Sequence, residues 1–114
     1  MANLKTNVKI SDDTINMIAG IAATSIDGVS SLGEGTTFNM IPFIESNNLK
    51  KGIEIKKNES DGSITVKLTI TIKEGIEIKN TCRTIQEKVK ESIESMLDMT
   101  VREVIIRVAK LHDV

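Results

Sequence analysis

The chain has 114 residues, of which 39% are hydrophobic and 27% are charged, the balance of one globular domain. Its 15 basic and 16 acidic residues leave a net charge of −1, which excludes a general electrostatic attraction for nucleic acid or anionic lipid. The single cysteine, Cys82, excludes an intrachain disulfide and a cysteine-rich metal site. We expect one domain over residues 1–114, with residues 1–7 flexible, in a reducing cytoplasm.

The first predicted elements are a short strand and a helix. Val8 and Ile10 flank Lys9 and predict the strand, and Ser11 stands where its side chain can cap the helix that follows. Asp27 and Gly28 end the helix region, and residues 29–32 predict a brief second strand. Apolar residues at steps of three and four predict one buried helix stripe, made of Ile15, Ile18, Ala19, Ala22 and Ile26.

Residues 33–44 form a loop region with two unusual features. Gly33 and Gly35 precede threonines, but the order of a P-loop is missing. Residues 38–44 place both aromatic side chains around Pro42, which argues against the interior of a strand or helix. This segment either covers an end of the core or forms an exposed apolar tip that binds a partner. Its candidate contact residues are Phe38, Met40, Ile41 and Phe43.

Two alternating segments predict a β-hairpin. Residues 53–56 and 63–73 alternate apolar and polar side chains, and Ser60, Asp61 and Gly62 supply a turn between them. The lysines near the first segment indicate either a solvated edge strand or a small basic patch. The second segment directs five apolar side chains to one face of the sheet: Ile64, Val66, Leu68, Ile70 and Ile72.

A long helix and a last strand complete the prediction. The helix spans residues 78–97, and the strand spans residues 101–111. Because Val104, Ile105 and Ile106 are consecutive, the strand is apolar on both faces, as expected at the centre of a sheet or at a subunit contact; Ile105 is a candidate contact residue. The predicted helix stripe consists of Ile78, Cys82, Ile85, Val89, Ile93 and Met96.

These elements predict a small two-layer α+β domain, in which two helices pack on one face of a mixed, mostly antiparallel sheet. Reactive groups are few, since the only histidine, His112, is two residues from the end, and Cys82 lies on an apolar helix stripe. The polar face of the sheet has threonines and lysine where RNA recognition by stacking needs aromatic rings. We therefore expect no enzyme, cofactor, metal site or nucleic-acid partner.

The chain resembles the alkaline shock protein 23 family of general-stress and cell-envelope proteins of Gram-positive bacteria. The resemblance covers residues 8–108. It is carried by the order and spacing of several short motifs: Val8-Lys9-Ile10-Ser11; Asp27-Gly28-Val29; Lys51-Gly52-Ile53-Glu54-Ile55; Gly75; and Gln86, Val89, Ile93 and Met96 followed by Val101-Arg102-Glu103-Val104.

This resemblance implies a cytoplasmic, non-catalytic domain that associates with itself or with other proteins, in some relatives beside the membrane through a separate anchor protein. The functional hypothesis is an interaction and assembly module in cell-envelope or stress homeostasis, without a transmembrane segment of its own. The alternative is a regulatory domain that binds a lipid precursor or a phosphorylated metabolite through residues 33–37 and the apolar segment after them.

Overall fold

A computed structural model of the chain describes residues 9–33 and 52–112. The predictions for residues 1–7, for the end of the glycine loop at residues 34–37 and for the apolar segment at residues 38–44 lie outside these ranges. The described elements, in chain order, are α1 (Asp12–Thr24), β1 (Val29–Leu32), β2 (Ile53–Lys57), β3 (Ile64–Lys73), α2 (Ile78–Leu97) and β4 (Val101–His112).

The sheet is built around β3. This strand pairs with β1 and β2, both antiparallel, on one edge and with β4, parallel, on the other. The apolar side chains of β3 face α1 and α2, which pack together over that side of the sheet. The predicted α+β architecture with a mixed sheet and two helices on one face is confirmed. The core is made largely of Ile15, Ala19, Leu32, Ile64, Val66, Leu68, Ile70, Ile72, Ile85, Val89 and Ile93.

Two short strands share one edge of β3 end to end. Leu32 in β1 pairs with Ile70, and Ile53 in β2 pairs with Leu68. The junction is at Thr69, whose carbonyl oxygen accepts from the N–H of Gly33 at 2.7 Å and whose N–H donates to the carbonyl of Gly52 at 2.7 Å. Gly33 and Gly52 are therefore held at one point of the sheet.

The start of the chain differs from the prediction. Lys9 and Ile10 have no regular secondary structure, so the strand predicted at residues 8–10 is wrong for its described part. A strand needs a neighbouring edge, and none of the described strands pairs with these residues. The helix begins as predicted, because the side-chain oxygen of Ser11 accepts a hydrogen bond from the N–H of Thr14 at 3.2 Å.

The buried stripe of α2 is shorter than predicted. Ile85, Val89 and Ile93 are fully buried, whereas Ile78 is 42% exposed and Met96 is 66% exposed. Ile78 lies in the first turn beside the exposed residues that join β3 to α2, and Met96 lines the outside of the groove between the helices. The prediction is therefore correct for the middle of the helix and wrong at its ends.

β4 is an outer strand of the described sheet. Of the two interpretations of this segment, a central strand or a strand at a subunit contact, the described sheet does not support the first, because among the described strands β4 pairs with β3 alone. The central strand is β3, which has neighbours on both edges. In the described ranges, no helix has both the length and the apolar character needed to cross a membrane.

Candidate interaction surface

The sheet has a second face, which turns away from α1 and α2 and which we call the outer face. Side chains alternate along a strand, so residues between the core positions point to this face. The register between strands shows which of them are neighbours, for example Lys67 beside Glu54 and beside Ile105. On β2, β3 and β4 the outer face consists of Glu54, Lys56, Thr65, Lys67, Thr69, Thr71, Glu103, Ile105 and Arg107.

Ile105 is the large apolar side chain among these polar residues. It is 40% exposed, whereas Val104, its neighbour along β4, is buried on the helix side of the sheet. Glu103 and Arg107 lie two residues away on either side, point to the same face and are exposed. Ile105 therefore forms the centre of a short stripe with a carboxylate at one end and a guanidinium at the other.

This stripe runs along an edge whose backbone has no partner in the described part of the sheet. The ladder to β3 is irregular next to Val101 and again after Val108, so the regular part of β4 is residues 103–108. A regular strand with an open edge offers N–H and C=O groups to another strand. The stripe and the edge together form the β4 edge surface, made of residues 103–108.

A shallow depression of about 570 Å³ lies beside the β4 edge surface. Lys67 and Arg107 contribute two positive charges to its lining, and Glu54 contributes one negative charge. The ion pair found among the described residues lies elsewhere, between exposed Lys57 and Asp12, 3.6 Å apart. Charged groups and the apolar side chain of Ile105 line the depression together, a combination that suits contact with another protein surface.

The glycine loop considered as a phosphate site has its first residue in the described part of the chain. Gly33 is buried, its N–H donates to the carbonyl of Thr69, and its own carbonyl accepts from the hydroxyl of Thr71 at 2.9 Å. Phosphate-binding glycines offer free backbone N–H groups to the ligand. The N–H of Gly33 is already used within the sheet.

The two reactive residues singled out in the sequence, Cys82 and His112, belong to different elements. Cys82 is half-buried on α2, and burial raises the pKa of its thiol, which makes the thiolate less available at neutral pH. His112 is the last residue of β4, in register with Lys73. Over residues 9–33 and 52–112, no group of three or more His, Cys, Asp or Glu side chains is arranged to hold a metal ion.

One carboxylate in the described chain has a perturbed pKa. Hydrogen bonds from the backbone N–H of Ser63, at 2.9 Å, and from its hydroxyl, at 2.7 Å, lower the pKa of Asp61. Asp61 lies in the turn between β2 and β3, and it is exposed. The bonds hold the turn in shape, so this group has a structural explanation.

A second apolar surface lies between the helices, on the side away from the sheet. Ile21 is 52% exposed there, and with Ile18 and Met96 it lines a groove of about 310 Å³. Lys88 and Ser92 of α2 border the same groove. The molecule thus exposes apolar side chains on two opposite sides, the helix groove and the β4 edge surface.

Of the contact residues predicted from sequence, the structure describes only Ile105. Phe38, Met40, Ile41 and Phe43 lie outside the described residues, so their role stays a prediction. Sequence reasoning missed Glu103 and Arg107. The sequence does contain a signal for them, because Glu103 and Arg107 have opposite charges and lie two residues before and two residues after Ile105 in an alternating strand.

The sequence of the chain is similar to those of several known proteins. The chain is 25% identical over 105 residues to the uncharacterized protein YqhY of Bacillus subtilis (strain 168), covering 92% of this chain and 76% of that protein. It is 30% identical over 95 residues to the uncharacterized protein Spy1614 of Streptococcus pyogenes serotype M6, covering 82% and 77%.

A third relative is the uncharacterized protein Spy1535 of the same streptococcal strain, 29% identical over 101 residues, covering 89% of this chain and 75% of that protein. No solved structure gives a significant match. The family model that matches residues 1–112 is described by a cell envelope-related function. The resemblance seen in the short motifs is thus confirmed over nearly the whole chain, which belongs to the alkaline shock protein 23 family.

Proposed function

We propose that this protein is a non-catalytic interaction and assembly module that acts in cell-envelope or stress homeostasis. The observation that carries the proposal is the β4 edge surface, where a half-exposed Ile105 lies on a strand edge without a partner in the described sheet. An open strand edge is a template for another strand, and an exposed apolar side chain on that edge would gain stability when the second strand buries it. The cell envelope-related function of the family supplies the setting.

The distribution of polar groups supports a surface-based function. Most described carboxylates and cations are exposed, and the half-buried carboxylate of Glu94 accepts a hydrogen bond from the N–H of Val101. The thiol of Cys82 has a raised pKa, and the Gly33 N–H is used within the sheet. These groups suit contact with another macromolecule better than bond making or breaking. We place the module in the cytoplasm, beside the membrane when a partner protein is anchored there.

The test compares the wild-type protein with an Ile105→Ser variant, which keeps the backbone and removes the exposed apolar side chain. Sedimentation velocity over about 1–500 μM should show association of the wild type and a shift of the variant toward monomer. The range extends to high concentrations because small interfaces bind weakly. Affinity capture from native cytoplasmic and membrane fractions, with Ile105→Ser as control, tests for a partner other than a second copy of the chain. The proposal is contradicted if the wild type stays monomeric and if both proteins capture the same set of partners.

A further inference from the structure

We infer that two copies of this chain associate through the outer edges of their β4 strands, antiparallel, with Ile105 opposite Ile105 of the second copy at a two-fold axis. The inference rests on the proposed function and adds the partner and the register. Directly opposite residues of an antiparallel pair point to the same face. The outer faces of the two copies are therefore continuous, and their helices lie on the same side.

Charge complementarity indicates that the partner at the β4 edge surface is a second copy of this chain. With Ile105 on the axis, Glu103 of each copy lies opposite Arg107 of the other, so the two-fold forms two opposite-charge pairs around an apolar centre. On the helix side, Val104 lies opposite Ile106 of the second copy. Opposite-charge pairs and pairs of branched side chains at opposed positions both stabilise strand pairing.

Neighbouring registers lack this complementarity. A two-fold centred on residue 103 or 107 places like charges directly opposite each other, which is destabilising. A centre at residue 104 places Ile105 opposite Glu103, and a centre at 106 places Ile105 opposite Arg107. Both leave the exposed isoleucine against a charge. The register centred on Ile105 is the one that pairs charge with charge and apolar with apolar.

The contacts already made by β4 are compatible with this pairing. The side-chain amide of Gln86 on α2 donates to the carbonyl of Val104 at 2.9 Å. A carbonyl oxygen has two lone pairs, so it can also accept an N–H from a second strand. The irregularities next to Val101 and after Val108 confine regular pairing to residues 103–108, which are nearly symmetric about Ile105.

Assembly of this kind closes on itself. An isologous contact uses the same edge on both copies, so it leaves no further β4 edge for growth. The other edge of the described sheet consists of two short strands, β1, of 4 residues, and β2, of 5. Short, interrupted edges are poor templates for another strand.

The decisive experiment exchanges the two charges separately. In Glu103→Arg, the introduced arginine faces Arg107 of the second copy, and in Arg107→Glu, the introduced glutamate faces Glu103. Each variant alone should dimerise about tenfold more weakly than the wild type in sedimentation equilibrium. Mixed together, the two variants restore both opposite-charge pairs, so the heterodimer should form with an affinity close to that of the wild-type dimer.

The matched control is Glu54→Arg, the same charge change on the outer face of β2, two strands from the β4 edge. It should leave the dissociation constant within about twofold of the wild type. Circular dichroism and the melting temperature of each variant establish that it is folded. A mixture that associates no more tightly than the separate variants overturns the inference, while self-association of the wild type would still support the proposed function.

Cross-linking gives a second measurement that does not depend on charge. In a Cys82→Ser background, Ile105→Cys places two thiols opposite each other at the axis, where opposed Cβ atoms are roughly 4.5–5.5 Å apart. Mild oxidation should give a disulfide-linked dimer. Thr69→Cys, on the outer face of the central strand, is the control and should stay monomeric. Equal cross-linking of the two variants contradicts the pairing.

Discussion

Gly52 lies where the two strands on one edge of β3 meet, and it has no room for a side chain. A Cβ atom at this position would lie 2.6 Å from the N atom of Gly33 and 2.9 Å from the carbonyl oxygen of Thr69. Both are backbone atoms held in the sheet, so they cannot move aside as the end of a flexible side chain would. Glycine is therefore required at this position, because the surrounding backbone leaves no space for a side chain.

We predict that Gly52→Ala lowers the free energy of unfolding by about 3 kcal/mol, the upper part of the range typical of overpacking. Gly75→Ala is the control, since a Cβ there meets nothing within 4 Å but the backbone has a φ of +90°. It should cost about 1 kcal/mol through backbone strain. Urea denaturation measures both. Equal losses would show that the strands do not meet as closely as described.

Asp61 makes the stability of the turn between β2 and β3 depend on pH. The hydrogen bonds from Ser63 lower its pKa in the folded state below the ordinary value of about 3.9. The contribution to stability is therefore fully present above the ordinary pKa and is lost as the pH falls through the lower, folded-state pKa.

Asp61→Asn should be less stable than the wild type at pH 7, and the difference should shrink as the pH falls below about 4. Urea denaturation at pH values from about 7 to about 3 measures the difference. Glu59→Gln, which removes a neighbouring exposed carboxylate, controls for net charge. A difference between Asp61→Asn and the wild type that is constant with pH would contradict the stabilising role of these bonds.

At the scale of the element, α2 is held by the middle of its apolar stripe. Ile93 is fully buried, so Ile93→Ala should destabilise the protein by about 2–5 kcal/mol through lost burial and a residual cavity. Met96, three residues later, is 66% exposed, and Met96→Ala should change stability by no more than about 0.5 kcal/mol. Thermal or urea unfolding of both variants tests where the buried stripe of α2 ends. A large loss of unfolding free energy in Met96→Ala would place that side chain in the core.

Local patterns predicted most of the elements correctly. Strict alternation predicts β3, with Ile64, Leu68 and Ile72 on one face, and the turn residues around Asp61 predict its pairing with β2. Steps of three and four predict α2 over residues 78–97, as observed. These features depend on neighbours in sequence, which is why the sequence alone suffices for them.

The positions of elements relative to one another could not be predicted in the same way. That β1 and β2 share one edge of β3 depends on contacts between residues far apart in sequence. The apolar run at residues 104–106 is compatible with a central strand as well as with an edge, and only the sheet order distinguishes them. The run itself marks Ile105 as a candidate contact, whereas Glu103 and Arg107 gain meaning only from the position of β4 at an edge of the described sheet.

At the scale of the whole molecule, the two sides of the domain have different characters. The helix side holds the core and, on its outside, the groove lined by Ile21 and Met96. The sheet side holds alternating charges around Ile105. With a net charge of −1, long-range attraction contributes little, so the association proposed above would depend on the local pairing of opposite charges.

The junction at Thr69 holds two residues that are far apart in sequence at one point of the central strand. Because Gly33 and Gly52 bind the same residue of the central strand, the ends of residues 34–51 are adjacent in space. Loop-closure entropy changes slowly with chain length, so this short distance puts little constraint on the number of residues that join the two glycines. A change in that number is therefore expected to leave the pairing of β1 and β2 with β3 in place.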